Sequence, residues 1–191
     1  MALSSCDPSD ILERMNAEDY AKSKLDVEVT DVKMLMEDGT EVPSEIVLRD
    51  KDLDLAFIRP KVKPATPMAA VDLAKSSPAQ VMDVLVALNR LNRASGRAYS
   101  ASAERISAVI QKPRTFYVPD GGGASATLGS PVFALDGNIV GLVVMRAVNS
   151  GGVGGSRDNV TAIVLPAGDV LKAAKQAPEA KGDDAKKDLT K

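Results

Sequence analysis

Between Leu25 and Leu165 the apolar residues come in short runs separated by turn signals, with almost no helical periodicity. That pattern points to a β fold. The firmest unit is a hairpin: Pro131–Leu135 and Asn138–Val144 are apolar runs joined by Asp136-Gly137, whose glycine accepts the positive φ of a tight turn. Glu37-Asp38-Gly39-Thr40 repeats this chemistry between a broken alternation (Val27, Val29, Val32, Met34, Met36) and a second strand, Glu41–Arg49. Leu53–Ile58 reads as a short, largely buried third strand, and Val81–Leu88, Tyr99–Ile110, Phe116–Val118 and Val160–Leu165 as further strands. A helix is expected at each end. The first is capped by Asp7, opened by Pro8, supported by Asp10 and Glu13, and fades near Lys22. The last carries Gly168, Val170, Leu171, Ala173 and Ala174. Many short strands at regular spacing, closed by one helix, predict an all-β barrel architecture.

Chemistry is limited first by what the chain lacks. No histidine occurs among its 191 residues, which for a complete chain excludes an imidazole base and an imidazole metal ligand. The single cysteine, Cys6, excludes an internal disulfide and any Cys-x-x-Cys pair. Aromatic residues are only 3%, so the core must be built from Val, Ala, Leu, Ile and Met. A net charge of −2 supplies no field of one sign, so neither nucleic acid nor a membrane surface is an expected partner. There is no apolar run long enough to cross a bilayer, and Met1–Cys6 lacks the basic start and hydrophobic stretch of a signal peptide. No cofactor is expected.

Four prolines (Pro60, Pro64, Pro67, Pro78) mark a crossing segment. The expected organisation is therefore a first barrel over residues 1–60, the crossing at 61–80, and a second barrel with its closing helix at 81–176. A charged tail follows at 177–191. Eight of its fifteen residues are charged and only one is leucine, too little apolar surface to order it beyond about Ala177.

Two segments carry a family resemblance. Asp50-Lys51-Asp52-Leu53-Asp54-Leu55-Ala56-Phe57-Ile58, after the hairpin Met36–Val42, resembles the stretch around the catalytic aspartate of trypsin-like serine proteases, in particular the bacterial high-temperature-requirement (HtrA) type. Thr127-Leu128-Gly129-Ser130-Pro131-Val132-Phe133, followed by Asp136–Leu142, resembles that family's nucleophile loop and the hairpin after it. Val160–Pro166 resembles its last strand. The segments lie in the family's order, so the resemblance implies a trypsin-like double β-barrel over about residues 1–176. In the family several strands precede the histidine turn, and here almost nothing does. This implies either an incomplete first barrel or a chain that begins partway into a longer protein.

The same resemblance implies the site. Asp54 matches the triad carboxylate, and the nucleophile position falls on Leu128, with Gly129 and Pro131 fixing the register. The histidine position falls on Cys6 in one register and near Lys24 in another. Ala126 stands where the family's oxyanion loop has a glycine, and Ser130 replaces the second glycine after the nucleophile. A triad needs a hydroxyl, an imidazole and a carboxylate acting as a unit, and here Asp54 alone matches. The expectation is a catalytically inactive homologue that keeps the cleft between the barrels for an extended peptide or protein. The alternative is an active endopeptidase whose base or nucleophile lies elsewhere, with Ser130 or Cys6 the candidates. A structural β-domain tethering other modules through its tail is a third reading. The family's usual export implies a periplasmic or extracytoplasmic location.

Other groupings read as surface features. Asp120–Gly123 and Ser150–Gly155 lack the Lys-Ser/Thr that a phosphate loop requires. Arg90, Arg93 and Arg97 read as a solvated hairpin end without interleaved aromatics. Strand alternation would place Asp50, Asp52 and Asp54 on one face, but no oxygen-rich loop follows, so no metal is expected there.

Overall fold

The computed structural model describes residues 2–4, 29–64, 68–120, 128–147 and 160–179; of 2–4, 147 and 160 only the backbone is described. The N-terminal helix expectation, the Gly-rich loops at 121–127 and 148–159, and the tail from 180 onward lie outside these residues. Ten strands are described: β1 Ala2–Ser4, β2 Lys33–Leu35, β3 Glu41–Asp50, β4 Leu55–Pro60, β5 Val84–Arg90, β6 Tyr99–Ile110, β7 Phe116–Pro119, β8 Pro131–Ala134, β9 Ile139–Ala147 and β10 Val160–Pro166. Helix α1, Ala167–Ala174, follows directly.

The strands form two antiparallel units. Strands β1-β4-β3-β2 make a four-stranded sheet, open among the described residues, and β10-β7-β6-β5-β8-β9 close into a six-stranded barrel. The all-β architecture with a C-terminal helix is as expected. Both Asp-Gly turns form, with Gly39 at φ +86° and Gly137 at φ +84°. In each, the aspartate carboxylate accepts the N–H two residues on: Thr40 to Asp38 at 2.8 Å, Asn138 to Asp136 at 2.9 Å.

Two strands start later than expected because a non-glycine residue takes a left-handed φ. Asp54 (φ +53°) holds Leu53 and Asp54 in a turn, so β4 begins at Leu55. Met82 (φ +77°) delays β5 to Val84. Residues 29–32 are likewise not strand, and β2 is three residues long.

Strands β9 and β10 carry near-continuous apolar runs because both of their faces are buried. Val143 and Val164 point into the barrel with Leu85, Ile106, Tyr117, Val132 and Val140. Their neighbours Leu142, Val144, Ile163 and Leu165 face the other way, onto Leu53, Leu55 and Phe57 of the first unit, Phe116, and Val170 and Ala173 of α1. This second cluster joins the two units and the helix, each large side chain contributing about 1.5–3 kcal/mol by its burial.

Three arginines, Arg90, Arg97 and Arg59, add directional bonds, which corrects the reading of Arg90 and Arg97 as solvated, while Arg93 is exposed as expected. The Arg90 guanidinium donates to the carbonyls of Met36 (2.7 Å), Glu37 (3.2 Å) and Arg97 (3.1 Å), with Tyr99 5.3 Å from ring centroid to Arg90 Cζ. Arg97 also pairs with Glu41 at 3.7 Å. Arg59 donates to Glu45 (3.1 Å) and to the Pro178 carbonyl (3.0 Å). The start of the expected loose tail is therefore held against the first unit.

Gly141 shows how closely β9 approaches β10. A Cβ there would run into the Leu165 carbonyl oxygen and lie 2.8 Å from its carbon. Gly141→Ala is expected to cost about 2–3 kcal/mol through forced separation of the strands. In urea unfolding the midpoint should then fall by about 1 M; an unchanged midpoint would contradict this packing.

Candidate functional site

Strand β9 organises the site through one of its edges. The N–H and C=O of alternate residues point to the same side of a strand, and on the side facing β8 the partner changes along its length. Up to Leu142 the partner is β8 itself. At Val143 it is the turn before β8: Gly129 N–H donates to the Val143 carbonyl (2.7 Å), and Val143 N–H to the Ser130 carbonyl (3.0 Å). Two residues on, Met145 N–H donates to Asp54 Oδ2 at 3.0 Å. Asp54 and the turn that follows Leu128, the positions that the resemblance assigns to the carboxylate and the nucleophile, are thus fastened to one strand edge, two residues or about 7 Å apart.

Asp54 is 6% exposed. Its placement follows from the turn that delays β4: Leu53 N–H donates to Asp50 Oδ1 (3.0 Å), and the left-handed φ of Asp54 then turns its side chain toward β9. Aspartate is among the few non-glycine residues that tolerate this conformation. The bond to Met145 crosses between the two units and satisfies an amide that β8 no longer reaches. The three aspartates 50, 52 and 54 do not share a strand face, because 51–54 is a turn. Among the described residues no three of His, Cys, Asp and Glu converge as metal ligands would.

Leu128 is half-buried and packs against the apolar interior of the barrel. Gly129 follows at φ +83°, a conformation that glycine adopts without steric cost. The Ser130 hydroxyl is buried and donates to Asn89 Oδ1 on β5. The structure therefore brings Asp54, Leu128 and Ser130 to one region. Cys6, Lys24 and Ala126 lie outside the described residues. Sequence reasoning did not single out Asn89 or Met145: the first is one polar residue on a strand, and the second acts through its backbone, which side-chain chemistry does not disclose.

The Asp54 bond gives a direct expectation. Asp54→Ala leaves the Met145 amide without its acceptor and puts alanine at a positive φ, a loss of about 3 kcal/mol. Asp54→Asn keeps an acceptor and tolerates the conformation, so it should cost about 1 kcal/mol. Denaturant unfolding ranks the two. Hydrogen exchange at the Met145 amide should accelerate in the alanine variant, and equal costs would deny the bond.

The described residues contain no helix long and apolar enough to cross a membrane. No curated protein matches the chain. Among solved structures it is similar in fold to the MamO protease domain from Magnetospirillum magneticum in its apo form. The two are 15% identical, with a TM-score of 0.53, over 74% of this chain and 73% of that one. It is also similar to the HtrA-type protease AlgW solved with a tripeptide, at 19% identity and a TM-score of 0.50 over 76% of this chain. The match covers 47% of AlgW, so the chain spans less than half of that protein. The model of a trypsin-like peptidase domain matches residues 16–142. That stretch holds both the Asp54 turn and the Leu128-Gly129-Ser130 turn, and the chain belongs to the trypsin-like peptidase domain family.

Proposed function

We propose that this chain is a non-catalytic member of its family, a module that binds an extended peptide or protein segment in the cleft between its two units. The observation that carries the reading is Leu128. Acyl transfer by this family's chemistry requires a hydroxyl nucleophile activated by an imidazole. The position that the resemblance assigns to the nucleophile holds an aliphatic side chain packed on the barrel interior, and no histidine occurs among the 191 residues. The adjacent hydroxyl, Ser130, is buried and committed to Asn89, with no base beside it among its hydrogen-bond partners. Asp54 meanwhile has a structural task, holding the Met145 amide across the junction.

The resemblance implies a cleft between two β units that does not depend on the nucleophile, and such clefts suit extended peptides. An extracytoplasmic location belongs to the same proposal and rests on the resemblance to HtrA-type proteases.

The purified protein should fail to label with a serine-reactive fluorophosphonate and should bind fluorescein-labelled unfolded casein without cutting it. Loss of one triad member forfeits most of a contribution of about 10⁶-fold, so Leu128→Ser alone should not create activity. Labelling that disappears in Ser130→Ala would overturn the proposal and make Ser130 the nucleophile of an active endopeptidase. Proteolysis abolished by Cys6→Ala would do so in favour of a thiol mechanism.

A further inference from the structure

The barrel carries a concavity formed by elements other than the Asp54 and Leu128 turns. A groove of about 400 Å³ runs between the segment that enters β5 and the β8–β9 turn, with Ala79, Leu85 and Val140 among its lining residues, Asp83 and Asp136 at its polar positions, and Leu135 beside them. Its walls are tied together. Ser76 bridges to Ile139, and Ser77 N–H donates to the Ile139 carbonyl at 3.0 Å.

Three features point to an occupant. First, the apolar lining residues Ala79, Leu85 and Val140 are buried side chains of the barrel, whereas neighbouring apolar residues are thrown outward. Leu135 is 75% exposed at the hairpin turn, and Val81 and Met82, between Ala79 and Asp83, are 51% and 62% exposed. Second, Met82 holds a positive φ unusual for its side chain. Its N–H donates to the Ile106 carbonyl (2.8 Å), and Ile106 N–H returns to the Asp83 carbonyl (2.9 Å), which pins this bulge on β6. Third, the charge is of one sign: two aspartates and no lysine or arginine line the groove. Both carboxylates are oriented by their turns, Asp83 Oδ2 by Gln80 N–H (2.7 Å) and Asp136 by the Asn138 backbone and side-chain amides (2.9 and 2.8 Å). The Asn138 backbone hydrogen bond holds the Asp136 carboxyl below its ordinary range, so it is charged at neutral pH.

We propose that this groove is a docking site for an extended peptide segment in which an aliphatic side chain is flanked by lysine or arginine. The aliphatic group covers the exposed leucine and the floor, and the flanking cations meet Asp83 and Asp136. The site is separate from the cleft between the two units and does not depend on how that cleft is used.

The test is fluorescence anisotropy with a fluorescein-labelled Gly-Lys-Leu-Arg-Gly peptide against the full chain, with Gly-Glu-Leu-Glu-Gly and Gly-Lys-Ser-Arg-Gly as comparators. The basic aliphatic peptide should bind most tightly. Leu135→Ser and the double change Asp83→Asn with Asp136→Asn should each weaken it about tenfold. Each asparagine keeps one acceptor oxygen for the backbone N–H of its turn, the exposed side-chain bond from Asn138 to Asp136 alone being given up. Leu135 is exposed, so all variants should melt within about 2 °C of the parent. Leu88→Ser removes an exposed leucine from β5 elsewhere on the barrel and should leave binding unchanged. Amide shifts on titration should cluster at residues 77–85 and 134–140. The proposal fails if no saturable binding appears up to about 1 mM peptide, if the acidic comparator binds as well, or if the groove variants bind like the parent. It also fails if the shifts map to the cleft. Concentration-dependent self-association abolished by Leu135→Ser would assign the surface to a second copy of the chain instead.

Discussion

Strand β9 is the element on which the rest of the molecule depends. One of its faces fills the barrel, the other packs on the first unit and the helix, and β10 pairs with it from Gly141 to Ala147. Its remaining edge is used in three successive ways, by β8, by the Gly129-Ser130 turn and by the Asp54 carboxylate. An edge amide left without a partner in such a place costs about 1–3 kcal/mol. The Asp54 carboxylate supplies that acceptor, and so contributes to stability independently of any reaction.

The junction between the two units is also overdetermined. Leu53, Leu55 and Phe57 enter the same apolar cluster as β9, β10 and α1. At the β2–β3 turn, Arg90 satisfies two carbonyls of the first unit and one of its own hairpin. A planar guanidinium suits this task because its five donors are spread in a rigid fork over three nitrogens, whereas a lysine's three donors sit on one. The relative placement of the units is set by packing in the middle and directional bonds at the margin.

Much of this was legible in the residues. The Asp-Gly dipeptides announced both hairpins, because that turn requires what glycine supplies. The apolar runs at 139–144 and 162–165 announced strands, whose burial on both faces the structure then showed. The closing helix followed from local pattern and family likeness together. The late starts of β4 and β5 were not legible, since a positive φ at Asp54 or Met82 is imposed by tertiary hydrogen bonds rather than by local preference. The role of Arg90 was hidden for the same reason: three nearby arginines look alike until the fold brings the Met36 and Glu37 carbonyls to one of them. The bond from Ser130 to Asn89 appears only once β5 and β8 are neighbours.

Stability and chemistry part company at the turn before β8. The backbone of Gly129 and Ser130 makes the hydrogen bonds that anchor the turn, and these need no particular side chain at 128. A serine there would contribute a polar group facing an apolar cluster; leucine adds apolar contact to that same cluster instead. Packing against that cluster favours leucine at 128 on burial alone. The same reasoning does not extend to Asp54, whose carboxylate serves the Met145 amide whether or not a reaction takes place. The two positions therefore differ in what the fold asks of them: at Asp54 the side chain itself completes the hydrogen bonding of β9, while at Leu128 only the backbone is required and the side chain is left to packing.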